Sequence, residues 1–287
     1  MTNEMQDKVC LVTGATSGIG RVTAQALADR GATTVLAARD AARGAATVDD
    51  IKRATGNDRV DLLVADLSSQ AQIRRLVEEF VRRYSRLDVL VNNAGALFMR
   101  RRESVDSIEM TLALNHLAPF LLTNLLLPML KASAPARIVT VASAAHAGAT
   151  FPFDDPQQRR GYRGLRVYGE SKLANIMFTY ELARRLAGTD VTANALHPGF
   201  VASSFGKGGS WPMRAAMTLA SLFAISPEQG ADTSIYLATS EDVAGVSGKY
   251  FDKRKPVQSS AASYDEDAAQ RLWELSAKLT GLTGQTL

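Results

Sequence analysis

Short, mostly apolar runs recur along the chain: Val9-Cys10-Leu11-Val12-Thr13, Thr34-Val35-Leu36-Ala37-Ala38, residues 60–65, Leu87-Asp88-Val89-Leu90-Val91, residues 137–142 and residues 191–196. Runs of this length bounded by polar residues read as strands buried in a sheet. Helical stretches separate them. The first spans about 21–29, and the second runs to about Ala54. Between 69 and 84, Ile73, Leu76, Val77, Phe80 and Val81 fall at helical spacing. A long helix is predicted over roughly 105–131, containing Asn115 and Pro128. Another follows Tyr168 through the apolar run 173–182. Pro227 opens a helix to about Thr239, Gly248-Lys249-Tyr250-Phe251 reads as a last strand, and a short helix lies near 265–279. Strands alternating with helices predict βαβ units. The fold class is therefore α/β: a doubly wound parallel sheet of about seven strands with helices on both faces. No repeat and no long linker interrupts residues 1–287, so a single domain is expected. Residues 146–165 form a polar insertion. Residues 200–225 are rich in large apolar side chains and suit either core packing or a lid over a substrate pocket.

Composition narrows the picture. Hydrophobic residues at 46% and charged residues at 22% fit a globular protein. The net charge is +4, with basic residues scattered apart from Arg100-Arg101-Arg102 and Lys253-Arg254-Lys255. That dispersion argues against nucleic-acid binding, and Arg100–Arg102 reads as a solvated loop. The one cysteine, Cys10, allows no intrachain disulfide and fits a reducing compartment. No apolar run reaches the roughly 18 residues of a membrane span. The N-terminus, MTNEMQDK, lacks the apolar stretch of a signal peptide. A cytoplasmic protein without stable membrane insertion is expected.

The first candidate for chemistry follows the first strand. Gly14-Ala15-Thr16-Ser17-Gly18-Ile19-Gly20 lies between a strand and a helix, the setting of a loop that cradles phosphates. Gly14 permits a tight turn, Gly18 lets backbone approach a diphosphate, and Gly20 lets helix pack on strand. Free N–H groups and the positive helix end favour the anion. Thr13, Arg39, Asp66 and Asn92 stand at the strand ends, where ligands of such sheets bind. The second candidate is Tyr168 with Lys172, four apart and so on one helical face. A cation beside a phenol lowers its pKa toward the range useful for proton transfer. His116, His146 and His197 lack metal-ligand spacing and read as polar surface or loop histidines. Ser143 with His146 suggests a hydrolase only weakly, since no Gly-x-Ser-x-Gly surrounds the serine.

Thr13-Gly14-x-x-x-Gly18-Ile19-Gly20, Asn92-Asn93-Ala94-Gly95, Asn115, Ser143, Tyr168-x-x-x-Lys172 and Pro198-Gly199 stand in one order. This resembles the short-chain dehydrogenase/reductase family over nearly the whole chain. Residues 114–123, 171–175, 247–251 and 271–276 resemble its retinol dehydrogenase-like and WW-domain-oxidoreductase-like branch. The resemblance implies a Rossmann fold and a hydride-transferring oxidoreductase. Tyr168 would be the acid/base, Ser143 would bond the substrate oxygen, Lys172 would hold the nicotinamide ribose and lower the Tyr168 pKa, and Asn115 would hold a relay water. It also implies a cofactor site of Gly14, Thr16, Ser17, Gly18, Ile19, Gly20, Asp66, Leu67, Asn92, Ala94, Gly95, Pro198, Gly199 and Val201. Ala38 falls where an NAD enzyme carries a carboxylate, and Arg39, with Arg43 one turn on, suits a 2′-phosphate. NADP(H) is therefore expected over NAD(H), although Asp40 resembles the missing carboxylate. The bulky residues at 200–225 imply a small hydrophobic carbonyl or alcohol substrate. Ile176, Met177 and Leu182 suggest a homodimer or homotetramer formed through the Tyr168 helix. The alternative is a catalytically silent nucleotide-binding regulator or scaffold of the same fold.

Overall fold

Eight strands make one sheet in the order β3-β2-β1-β4-β5-β6-β7-β8. The computed structural model describes residues 4–199 and 225–282. In chain order the elements are β1 (Val9–Thr13), α1 (Gly18–Asp29), β2 (Thr33–Ala38), α2 (Ala41–Thr55), β3 (Val60–Val64), α3 (Gln70–Arg83), β4 (Val89–Asn92), α4 (Met110–Ala132), β5 (Ala136–Val141), α5 (Gly164–Arg185), β6 (Val191–His197), α6 (Pro227–Thr239), β7 (Tyr250–Asp252), β8 (Lys255–Val257) and α7 (Glu266–Thr280). Strands β1 to β7 are mutually parallel.

Successive strand side chains point to opposite faces, and both faces are apolar. Val9, Leu11, Val35, Leu90 and Ile138 pack with Phe80, Leu126, Phe178 and Trp273 from α3, α4, α5 and α7. Cys10, Val12, Leu36, Val91 and Val139 pack with Leu27, Ile51 and Leu237 from α1, α2 and α6. The chain winds one way from β1 to β3 and the other from β4 onward. The crevice between the carboxyl ends of β1 and β4 is thus the point where strand order reverses, the usual place for a nucleotide.

The strand count agrees with the expected seven or so, and several details of the expectation change. The sheet has an eighth strand, Lys255–Val257, antiparallel to β7. It is short and contains Pro256, which an edge strand tolerates because one side needs no N–H. The long helix begins at Met110 rather than near 105. Ser107 sits at φ 58, and the Glu109 carboxylate caps the helix by accepting from Thr111 N and Leu112 N at 2.9 and 2.8 Å. Within it, Ala113–Leu117 is a π turn. Met110–Ala132 is also long and apolar enough to cross a membrane, with mean hydropathy 1.4, although most of it is buried in the fold. Counting unbroken apolar residues misses it because Asn115, His116, Thr123 and Asn124 interrupt the run.

His116, expected near the surface, is fully buried. It lies among Phe120 and Phe178, with ring centroids at 6.3 and 6.2 Å. Its Nε2 meets Ser276 Oγ of α7 at 2.8 Å, and that hydroxyl donates to Leu272 O, so Nε2 carries the hydrogen. Burial pushes the imidazole pKa down to about 4. Helix α7 lies along α5. Leu272 joins Leu173 and Met177 in one cluster, and Trp273 stacks on Phe178. Gln70 and Arg74 of α3 donate to Leu279 O and Thr280 O at 2.8 and 2.7 Å, fastening its far end. Ile176, Met177 and Leu182 are each at most 1% exposed within the single chain. These three side chains are core positions and do not themselves supply the apolar surface from which an oligomer was expected.

Candidate active site

The end of β1 and the Asn92–Gly95 turn are clasped together. Thr13 Oγ1 donates to Val91 O at 3.2 Å and accepts from Asn93 N and Ala94 N at 2.9 and 3.0 Å. Asn93 Nδ2 donates to Thr13 O and Gly14 O at 2.8 and 3.3 Å. Gly14 and Gly18 have φ of 64 and 54, the left-handed region. At Gly20 a Cβ would lie 2.3 Å from Asn93 Nδ2 and 2.5 Å from Gly14 O. Ser17 precedes α1 without placing its side chain over the first-turn amides. Those amides therefore remain available to an anion. Backbone donors, a positive helix end and a surface without side chains fit the diphosphate of a dinucleotide. Asn93 is the residue that sequence reasoning passed over here; the doublet Asn92-Asn93 was its only signal.

Further along the edge, Arg39 is exposed just beyond β2. Asp40 accepts from Arg43 N at 3.0 Å and caps α2, so its carboxylate has a structural task. Arg43 lies 3.9 Å from the same carboxylate. Asp66 accepts from Ser68 N and Ser68 Oγ at 2.9 and 2.8 Å, and Leu67 is buried. The Asn92 side chain is turned inward, contrary to its expected place on the adenosine side. It is 4% exposed and donates to Thr123 Oγ1 of α4 at 3.0 Å. Gly95 is exposed, whereas Ala94 is half-buried against the core.

The catalytic candidates meet beyond β4 and β5. Ser143 Oγ accepts from Ala145 N at 3.2 Å, which caps a single 3₁₀ turn, and it hydrogen-bonds the Tyr168 hydroxyl. Gly169 allows that approach, because a Cβ there would sit 2.5 Å from Ala145 O. Glycine inside a helix costs about 1 kcal/mol relative to alanine, so its presence beside Tyr168 was a readable signal that went unread. Lys172 is 3% exposed and donates to Val141 O at 2.8 Å. Asn115, in the π turn, is fully buried. Its Oδ1 accepts from Ala96 N at 2.8 Å, and its Nδ2 donates to Ala96 O and Ser171 Oγ, both at 3.0 Å. The amide thus clasps the loop after Gly95 to α5. A Cβ on Gly95 would stand 3.3 Å from Asn115 Oδ1 and 3.4 Å from Lys172 Nζ.

The electrostatics differ from the expectation that Lys172 lowers the Tyr168 pKa. Burial pushes the phenol up to about 12, partly countered by the Ser143 hydrogen bond. Burial also pushes Lys172 down to about 8. The ammonium lies 5.6 Å from the Tyr168 ring centroid and donates to a backbone carbonyl. Spacing on one helix face predicts the neighbourhood; the direction of a flexible four-carbon side chain is decided by Val141.

The hydrolase reading fails on geometry. His146 Nε2 accepts from Ser260 N at 3.1 Å, so Nδ1 carries the hydrogen and donates to Ser143 O at 2.7 Å. Neither nitrogen is left to activate Ser143 Oγ. His197 Nδ1 accepts from Ala144 N at 3.1 Å. Beyond it, Gly199 has φ 85, and a Cβ would lie 2.4 Å from Ile225 Cδ1. Val201 and the candidate lid at 200–225, apart from Ile225, lie outside the described residues.

A doubly wound sheet with this crevice and this Ser–Tyr–Lys arrangement defines a nucleotide-binding oxidoreductase. Residues 8–210 match the family model for short chain dehydrogenases, and the chain belongs to that family, whose members act on CH–OH groups with NAD(P). It is 43% identical to human retinol dehydrogenase 13 over 281 residues, 96% of this chain and 85% of that protein. It is 42% identical to human retinol dehydrogenase 11, covering 98% and 88%. Among solved structures, an uncharacterized protein from Mycobacterium paratuberculosis superposes with TM-score 0.78 at 33% identity, covering 96% and 94%. Pseudomonas aeruginosa RhlG, solved in a complex with NADP, superposes with TM-score 0.69 at 30% identity, covering 88% and 96%.

Proposed function

We propose that this protein interconverts a hydrophobic alcohol and its aldehyde or ketone, using NADP(H) in preference to NAD(H). The observation that supports this most is the meeting of Ser143, Tyr168 and Lys172 beside Gly95 at the sheet's carboxyl edge. When bound, the nicotinamide supplies or receives the hydride. Ser143 and Tyr168 present two hydroxyls to one substrate oxygen. Tyr168 gives that oxygen a proton in reduction and takes it back in oxidation. Lys172 spends one donor on Val141 O. Its other N–H groups, beside Gly95, would hold the ribose hydroxyls of the cofactor. The preference for NADP(H) rests on Arg39 following Ala38, and on Asp40 being engaged as a helix cap. RhlG, with NADP in its active site, and the retinol dehydrogenase relatives support the same reading.

The test is kcat/KM with NADPH and NADH on a panel of hydrophobic aldehydes, for wild type and Arg39→Ala. A hydrogen bond to a charged group contributes roughly 1.5–3 kcal/mol, so NADPH should weaken by about one to two orders of magnitude while NADH stays nearly level. Equal losses, a wild type that favours NADH, or better turnover of small charged hydroxy acids would refute the reading.

A further inference from the structure

Two segments meet beside the site. Gly164 lies so close to the Phe98–Met99 backbone that a Cβ would stand 2.4 Å from Phe98 O. Tyr162 Oη donates to that same carbonyl at 2.9 Å, and Arg101 Nε donates to Gln157 O at 3.1 Å. Residues 97–103 and 154–166 together carry seven arginines against three acids, Glu103, Asp154 and Asp155. Counting Glu170, which pairs with Arg166, the rim still carries a surplus of three positive charges out of the chain's formal +4. The run Arg100–Arg102 is therefore half of a larger basic rim, which the fold completes with Arg159, Arg160, Arg163 and Arg166.

Three of these arginines have carboxylate partners: Arg101 with Glu103 at 2.9 Å, Arg160 with Asp155 at 4.0 Å and Arg166 with Glu170 at 3.4 Å. Arg100, Arg102, Arg159 and Arg163 are exposed and form no ion pair among the described residues. The rim is close to the chemistry. Arg163 precedes α5, and Tyr168 lies five residues further on, about 7.5 Å along the helix axis. The loop carrying Arg100 and Arg102 starts just past Ala96, which Asn115 holds. Half-buried Leu97, Phe98 and Met99 lie in this loop, and Leu165, 62% exposed, lies on the other segment. Arginines carried on two abutting segments repel one another wherever they fall within a Debye length of about 8–10 Å. A ligand that brings negative charge to this rim relieves that repulsion, and planar guanidiniums grip oxyanions with paired hydrogen bonds.

We infer that the substrate is amphipathic: a hydrophobic body whose end remote from the reacting carbon bears an oxyanion, held by Arg100, Arg102, Arg159 and Arg163. This rests on the reading that the site turns over hydrophobic alcohols and carbonyls. It adds what selects among them. The rim lies at the substrate end, apart from Arg39 and Arg43 beyond β2, so it does not serve the cofactor phosphate.

The test uses a length-matched pair, decanal and 10-oxodecanoate, with NADPH. Wild type should favour the oxo acid by a factor of about ten or more, mostly through KM, as expected for a charge-assisted contact. High salt should erase that preference in the wild type. The variant Arg100→Gln/Arg102→Gln/Arg159→Gln/Arg163→Gln should bring the two aldehydes to the same kcat/KM. Equal kcat/KM in the wild type, or a preference that survives both treatments, overturns the inference while leaving the oxidoreductase reading intact. Turnover of neither aldehyde overturns that reading and this inference with it. The same oxyanions also occur on lipid headgroups, so wild type and variant are sedimented with phosphatidylcholine vesicles containing phosphatidylglycerol. Arginine-dependent vesicle binding without discrimination between the aldehydes would assign the rim to a membrane surface and overturn the substrate inference.

Discussion

The cofactor end and the substrate end of this site are built from different materials. At the cofactor end, Gly14, Gly18 and Gly20 set the shape by lacking side chains, and Asn93 ties two neighbouring strand ends together. At the other end, Ser143, Tyr168 and Asn115 come from segments far apart in the chain and meet at α5 through side chains. A backbone cradle is specified locally. A side-chain constellation is specified only by the whole fold. Damage to the first should appear as lost cofactor affinity, and damage to the second as lost turnover.

Tyr168→Phe gives the sharpest separation. Removing a positioned proton donor lowers the rate by about 10² to 10⁴. NADPH affinity, read by fluorescence titration, should stay within a few-fold. Loss of both together would erase the division between the two ends. Gly20→Ala should do the reverse. A Cβ 2.3 Å from Asn93 Nδ2 and 2.5 Å from Gly14 O forces the clasp apart, and overpacking of this kind costs about 1–3 kcal/mol. Cofactor Kd should rise by roughly one to two orders of magnitude, with kcat at saturating NADPH much less affected. An unchanged Kd would show that the loop adapts.

His116 tests whether the substrate end depends on buried scaffolding. Its folded pKa, about 4, lies below the ordinary 6.5. Between those values the unfolded chain binds the proton more readily, so stability falls as pH drops through 6.5 and the loss saturates below 4. The full difference is roughly 3 kcal/mol. His116→Gln keeps a donor for Ser276 and removes the titration. Its denaturation midpoints should fall less steeply than those of wild type over that window. Parallel slopes would show that the imidazole is not the group responsible. Smaller still, Gly169→Ala should lower kcat several-fold without altering NADPH affinity, because it pushes α5 away from Ala145 O. Unaltered kcat would mean that the Ser143–Tyr168 contact tolerates the shift.

What could be read from the sequence follows the same division. Strand runs, the glycine loop and the residues at strand ends were legible because local periodicity and glycine spacing encode them. Ser143 and Tyr168 were placed by motif order, and the structure brings them into contact. The direction of Lys172, the inward turn of Asn92 and the burial of His116 were not legible. Each is decided by a partner remote in sequence: Val141, Thr123 and Ser276. The arginine rim was half visible, as Arg100–Arg102, and its meaning changed only when the second segment folded beside it.

Helix α7 fastens to the core through contacts spanning 160 to 209 residues, at His116, Arg74 and Gln70. During synthesis, α5 is complete about 80 residues before α7 begins. At 5–20 residues per second that interval lasts roughly 4 to 16 seconds. Throughout it, the strip of Leu173, Met177 and Phe178 has no Leu272 or Trp273 to cover it. The growing chain therefore carries its catalytic helix half dressed. For those seconds the strip is uncovered apolar surface on a tethered chain, the kind of surface through which folding intermediates associate.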